Sequence, residues 1–278
     1  MEDNILDNIK AHLSNGFEKD FFEEAIKNLE VHSRLRLSNF SYAIRELIRE
    51  VLSRMGPDEK VRSSEWFEPH FEEEPQKITK KQRMTYAIHG GINPDYVLKS
   101  LSIDIGAITK DLNDKINRLS KYTHVTEKIF YEDNEKSSND ILKHELSIFS
   151  EFLTAIHDCK TRVIEALYDR LSNHVIDEFL STSITKIDEL STHHYVEDIW
   201  INEVYIEEIN DTNIDIKVDG SIYVEMQYGS SSDLRNDNGV LLNNSFPFRA
   251  MISIDAFHID EFKVSEYSCD VNTTSWRE

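Results

Sequence analysis

The sequence predicts an α+β protein: an N-terminal all-helical bundle over residues 1–190, followed by a small antiparallel β domain over 191–278. Three observations predict it. Through the first two-thirds, apolar residues recur at three- and four-residue steps, the spacing of one buried helical face. After "STHHYVED" the period falls to two, and β-branched and aromatic residues alternate with polar ones. No proline stands between Pro94 and Pro247, so nothing of that kind interrupts a long helix in the middle of the chain.

The elements follow in order. Phe40, Ile44, Leu47, Ile48, Val51, Leu52 and Met55 mark the inner face of a first long helix, stopped by Gly56-Pro57. Residues 57–78, with three prolines and "FEEEP", read as an extended connection. A shorter helix runs from about Lys80 to "HGG" at 89–91, and Pro94 opens another that continues to about Ser120. "FYEDNEKSSND" reads as a polar loop, with Asn139 or Asp140 capping a long helix that carries Leu142, Phe149, Phe152, Leu153, Ile156 and Leu167. Its pattern extends to about Leu190, with a break near Ser181-Thr182. At least four strands follow; Ile214, Ile216 and Val218, then Ile222, Val224 and Met226, line one strand face. "GSSSDLRNDNG" reads as a long polar loop between strands.

Composition narrows the function classes. No apolar run reaches the roughly 18 residues of a membrane span, and the acidic, amphipathic "MEDNILDNIKAHL" is unlike a signal peptide. The expectation is a cytoplasmic protein with no membrane partner. Cys159 and Cys269 are too few for a disulfide framework or a thiolate metal site. A net charge of −21 argues against non-specific duplex binding, where Lys and Arg must replace counterions, but leaves room for a local basic cleft. Positive charge gathers at Arg34, Arg36, Arg45, Arg49 and Arg54 and again in "KITKKQR" at 77–83.

Phosphate-binding glycine loops, serine-hydrolase elbows and a cysteine nucleophile are absent, and the histidines show no metal-ligand spacing, so no metal and no cofactor is expected. One strand, "DGSIYVEMQ", offers Asp219, Glu225 and Gln227 for a magnesium-dependent nuclease, or equally for a solvated strand face. The other chemistry available is Arg with His. Histidine can move a 2′-hydroxyl proton while arginine stabilises the crowded phosphate. The pair at a six-residue step occurs twice, as Arg83 with His89 and as Arg118 with His124. Six steps of unbroken helix turn the side chains about 120° apart. "RMTYAIH" reads as continuous helix, so Arg83 and His89 should diverge. "RLSKYTH" crosses a helix end, where Arg118 and His124 can converge; a capping or core histidine is the plain alternative.

On these residues the helical region resembles the HEPN superfamily of helical-bundle ribonucleases and nucleotide-binding proteins, over residues 20–180. Where many members carry a polar residue directly after the arginine, this chain has Leu119. The resemblance implies catalytic Arg118 and His124, a site completed in a homodimer, and metal-independent cleavage of RNA. A second resemblance is more extended. "RLRLSNFSYAIRELIREVLSRMGPDEKV", "ITKKQRMTYAIHGG", "LSTHHYVEDIWINEVYIEEI", "VEMQYGSSSDLRNDNG" and "DVNTTSW" look like a bacterial group described as predicted nucleases associated with prokaryotic PIWI proteins.

Together these yield the expectation of an RNA endonuclease of a prokaryotic anti-phage defence or toxin system. Arg118 and His124 would be catalytic, and Lys121, Tyr122, Arg45 and Arg49 would bind substrate. The β domain would recognise a partner protein, a nucleotide or substrate through "YGSSSDLRNDNG". The alternative is a non-catalytic sensor or adaptor of the same setting, which the acidic composition also suits.

Overall fold

A computed structural model describes residues 2–30, 33–119, 123–131, 135–181, 191 and 193–274; the side chains of 2, 3, 30, 118–119, 128–129, 135–139 and 169–181 lie outside that description. Helices α1 (Glu2–His12), α2 (Phe17–Lys27), α3 (Arg36–Met55), α4 (Asp58–Ser63), α5 (Lys80–His89), α6 (Pro94–Lys99), α7 (Ile105–Leu119), α8 (Glu127–Tyr131) and α9 (Glu135–Ser181) precede four strands. The strands are β1 (His193–Ile209), β2 (Asn213–Tyr228), β3 (Val240–Asp255) and β4 (Val264–Val271), with a short helix α10 (Ser231–Arg235) between β2 and β3. This is the α+β arrangement that the change of period predicts. The chain divides into two compact units, Met1–Gly90 with Pro94–Val163, and Gly91–Asn93 with Ile164–Glu278, so the division falls inside α9.

In the helical unit the core is the inner face of α3, where Phe40, Ile44, Leu47, Ile48, Val51 and Leu52 are all buried. Phe22 of α2, Met84 and Ile88 of α5, Leu112 and Ile116 of α7, and Phe149, Phe152 and Leu153 of α9 are buried with them. Gly56 ends α3 by donating its amide to the Leu52 carbonyl. The expected 57–78 connection begins instead with α4, because Pro57 sets the entry and Asp58 and Glu59 place negative charge at the positive end of the helix. Thr79 opens α5 with a full capping box: its side chain takes the Gln82 amide and the Gln82 side chain takes the Thr79 amide.

The single helix expected from Pro94 to Ser120 is two. Ser102 takes a positive φ of 57°, and the Asp104 carboxylate accepts the Ala107 amide at 2.9 Å, capping α7 afresh. The long helix begins at Glu135, so Asn139 and Asp140 lie within it rather than at its cap. The break expected near Ser181-Thr182 and the stretch to Leu190 fall at or beyond the end of α9, and residues 182–190 lie outside the described residues.

In the second unit the sheet is an antiparallel meander in the order β1-β2-β3-β4. Ile214, Ile216, Val218, Ile222, Val224 and Met226 of β2 are fully buried, alternating with half-buried polar positions. On β3, Phe246, Phe248, Ala250, Ile252 and Ile254 continue that face in register with them. Gly220 stands opposite Phe248. A Cβ there would come within 2.7 Å of the Phe248 ring and 2.5 Å of the Trp200 carbonyl, so only glycine lets the ring lie across β2. Outer strand β1 shifts register three times against β2, between Val196 and Asp198, Ile201 and Glu203, and Ile206 and Glu208. "GSSSDLRNDNG" is not wholly loop: Ser230 and Asp233 form a capping box that winds α10.

Candidate functional site

Because α3 turns Ile48 and Leu52 inward, Arg45 and Arg49, four residues apart, share the flank beside them. The N-terminal half of α5 adds Lys80 and Arg83 to the same flank. The result is a cavity of about 300 Å³ floored by Ile48, Leu52 and Ile116 of α7. Four cations line it against one carboxylate, Glu46. Glu46 bridges the two α3 arginines, at 3.3 Å from Arg45 and 2.9 Å from Arg49. The Arg45 guanidinium also lies 5.2 Å over the Tyr42 ring, while Arg49 remains 74% exposed.

Arg83 is differently employed. It donates to the Gly56 carbonyl at 2.8 Å and pairs with Asp58, tying the end of α3 and the start of α4 to α5. His89, six residues on, is fully buried and packs edge-on against Trp66 at 5.6 Å. The two therefore diverge, as one continuous helix requires, and they form no site.

For the other pair, α7 runs to Leu119 and His124 is exposed in the bend at 123–124, before α8. The Arg118 side chain, Lys121 and Tyr122 lie outside the described residues. Ile116, on the floor of the basic cavity, is two residues before Arg118. Arg45 and Arg49 are thus brought together with Lys80 in one cavity. The sequence marks both basic runs; that helices 30 residues apart lay them side by side appears only on packing.

Asp219 and Glu225 of β2 do not make a metal site. They lie on one polar face but six residues apart, about 20 Å along a strand, far beyond the span of one ion's ligands. Asp219 is also held by Arg249 at 2.8 Å, which keeps its carboxyl below the usual range. Among the described residues, no three His, Cys, Asp or Glu side chains converge as metal ligands, and no helix is long and apolar enough to cross a membrane.

Three further titratable groups are visible only in the fold. The rings of His12 and His157 lie 5.2 Å apart; burial, then the charge of His157, lowers the His12 pKa against the pull of Asp158. Glu18 is buried, which raises its pKa, yet the hydrogen bonds from Arg54 and the Ser14 amide, with the Arg54 charge, bring it below the usual value. Glu145 of α9 is buried against Ser41 of α3, and burial pushes it up to about 8. A larger cavity between α1, α2 and α9 is lined by Ile5, Leu6, Ile26, Leu29 and other apolar groups, with Lys143 as its one charged residue, and has no chemistry of its own.

Two family models match the chain. Each is described as a predicted pPIWI-associating nuclease; one covers residues 10–149 and the other residues 156–277. No curated protein and no solved structure matches it.

Proposed function

Because the chain belongs to the family of predicted pPIWI-associating nucleases, we propose that it is a metal-independent RNA endonuclease of an anti-phage defence or toxin system, acting through Arg118 and His124. The observation that carries this reading is the basic cavity. In a chain of net charge −21, Arg45, Arg49, Lys80 and Arg83 gather over Ile116, just before the helix end that leads to His124. Four cations against the one lining carboxylate, Glu46, leave an excess of positive charge that a phosphodiester would meet.

The chemistry follows from these groups. His124 takes the 2′-hydroxyl proton, and the oxygen attacks the adjacent phosphorus while Arg118 stabilises the charge that builds on the phosphoryl oxygens. The 5′-oxygen leaves with a proton from a second imidazole, yielding a 2′,3′-cyclic phosphate and a 5′-hydroxyl. One Arg/His pair supplies one proton-transferring group. A homodimer with both His124 side chains at a shared cleft supplies the second, which is the HEPN arrangement. Arg45 and Arg49 hold the flanking phosphates, with Lys121 and Tyr122 assisting.

Cleavage of total RNA in EDTA tests this. The expected result is cyclic-phosphate products from the wild-type protein and none from His124→Ala, whose melting should stay within about 0.5 kcal/mol because an exposed side chain is lost. His89→Ala, if it folds, should keep the product chemistry. Activity abolished by chelation and restored by magnesium would overturn the reading.

A second reading is favoured by β1. Tyr195, Trp200 and Tyr205 are exposed on this outer strand, which carries five acidic residues and no Lys or Arg. An adaptor role would use that face to dock a basic partner protein; loss of partner binding in Trp200→Ala, with RNA intact in EDTA, would favour it.

A further inference from the structure

Beside the arginine-lined cavity, and sharing Lys80 with it, lies a wider groove of about 530 Å³. One wall is the approach to α5, with Phe71, Lys77, Lys80 and Lys81; the other is α7, with Gly106, Thr109 and Lys110. None of its lining residues is acidic. Lys77 is satisfied, held at 2.6 Å by Glu74 and 5.2 Å over the Phe71 ring. Lys80, Lys81 and Lys110 are exposed and form no ion pair among the described residues. Lys80 and Lys81 moreover occupy the first turn of α5, which has no acidic residue, where positive charge opposes the helix field. Stability alone does not account for that placement. Phe71 is 39% exposed, and His70 packs edge-on to it at 4.8 Å.

Cations lining a groove that also holds a partly exposed aromatic ring match one kind of chain: alternating phosphates and bases with the bases unpaired. Resting on the nuclease reading above, we infer that this groove binds the single-stranded stretch of nucleic acid leading into the arginine-lined cavity. Lys80, Lys81 and Lys110 contact successive phosphates, and a base stacks at Phe71. A duplex hides its base faces and would gain only the phosphate contacts, so the substrate class is single-stranded.

Binding can be measured apart from cleavage with a labelled 2′-O-methyl oligonucleotide, which lacks the attacking hydroxyl, free or annealed to its complement. The full-length protein should bind the free strand at least about 10-fold more tightly than the duplex. Lys81→Ala and Lys110→Ala should each flatten the dependence of log affinity on log salt by about 0.7, the single-strand value for one phosphate. Lys81→Arg should restore the slope. Phe71→Ala should weaken binding about 10-fold without changing the salt slope. Equal affinity for duplex, an unchanged slope in both lysine variants, or full affinity in Phe71→Ala would each overturn the assignment. Cleavage of RNA in EDTA is read separately. If these binding tests fail while cleavage persists, the groove is wrong and the activity stands; the converse pattern removes the activity and leaves the groove.

Discussion

At Glu145 burial and hydrogen bonding pull in opposite directions. Burial raises its pKa to about 8 and the bond with Ser41 lowers it only in part. The Ser41 hydroxyl has one proton to donate, with the Leu37 carbonyl at 2.9 Å and the Glu145 carboxyl at 2.7 Å both in reach, so it offsets the cost of burying a charge only partly. The unfolded group ionises near its ordinary 4.5. Below that value both states hold the proton and the site contributes no pH dependence. Between 4.5 and about 8 the unfolded chain releases it and the folded chain does not, so stability falls as pH rises, then levels off. Glu145→Gln keeps the hydrogen-bonding shape without the titration. It should melt higher than wild type at pH 8, by a few kcal/mol at most on the order of one per pKa unit, and the gap should close near pH 4. Thermal melts across that range check both the size and the direction. None of this shows in the sequence, where Glu145 is one acidic residue in a polar turn of a long helix; only the arrival of α3 buries it.

At the scale of elements, β2 was the most legible, because a strict two-residue period describes a face whatever lies against it. Its one irregular position, Gly220, is explained only by Phe248 across the ladder. Gly220→Ala should cost roughly 2–3 kcal/mol in denaturant unfolding, since backbone and ring would both have to yield, whereas Ser221→Ala beside it should stay within about 0.5. The helical elements show the opposite lesson. Apolar spacing runs on through 94–119 and masks the joint between α6 and α7, although Asp104 three residues before Ala107 is an ordinary capping signal. The start of α9 at Glu135 was equally hidden, because polar residues read as loop when they are in fact an exposed first stretch of helix.

For the whole molecule, the proposed cleavage needs two imidazoles, so scattering in solution should give about twice the mass of one chain, with His124→Ala protomers restoring no activity to each other. A monomer that still cleaves RNA would remove the two-fold scheme. The basic runs at Arg45–Arg49 and 77–83 were legible as charge, but not as adjoining walls, because adjacency of α3, α5 and α7 is a product of packing. The charge of −21 is a sum over the whole chain, and the basic flank of α3 and α5 is a local exception to it. The three register shifts of β1 have a consequence of another kind. Each inserts an extra residue, Glu197, Asn202 and Glu207, so this outer strand is bulged at every fifth position, each time at a polar residue. A flat strand of 17 residues at the rim of a sheet would template its own kind into stacked ribbons; this one cannot keep register with a copy of itself for more than a few residues. The irregularity that blurs the alternation in its sequence works against two copies of this strand zipping together.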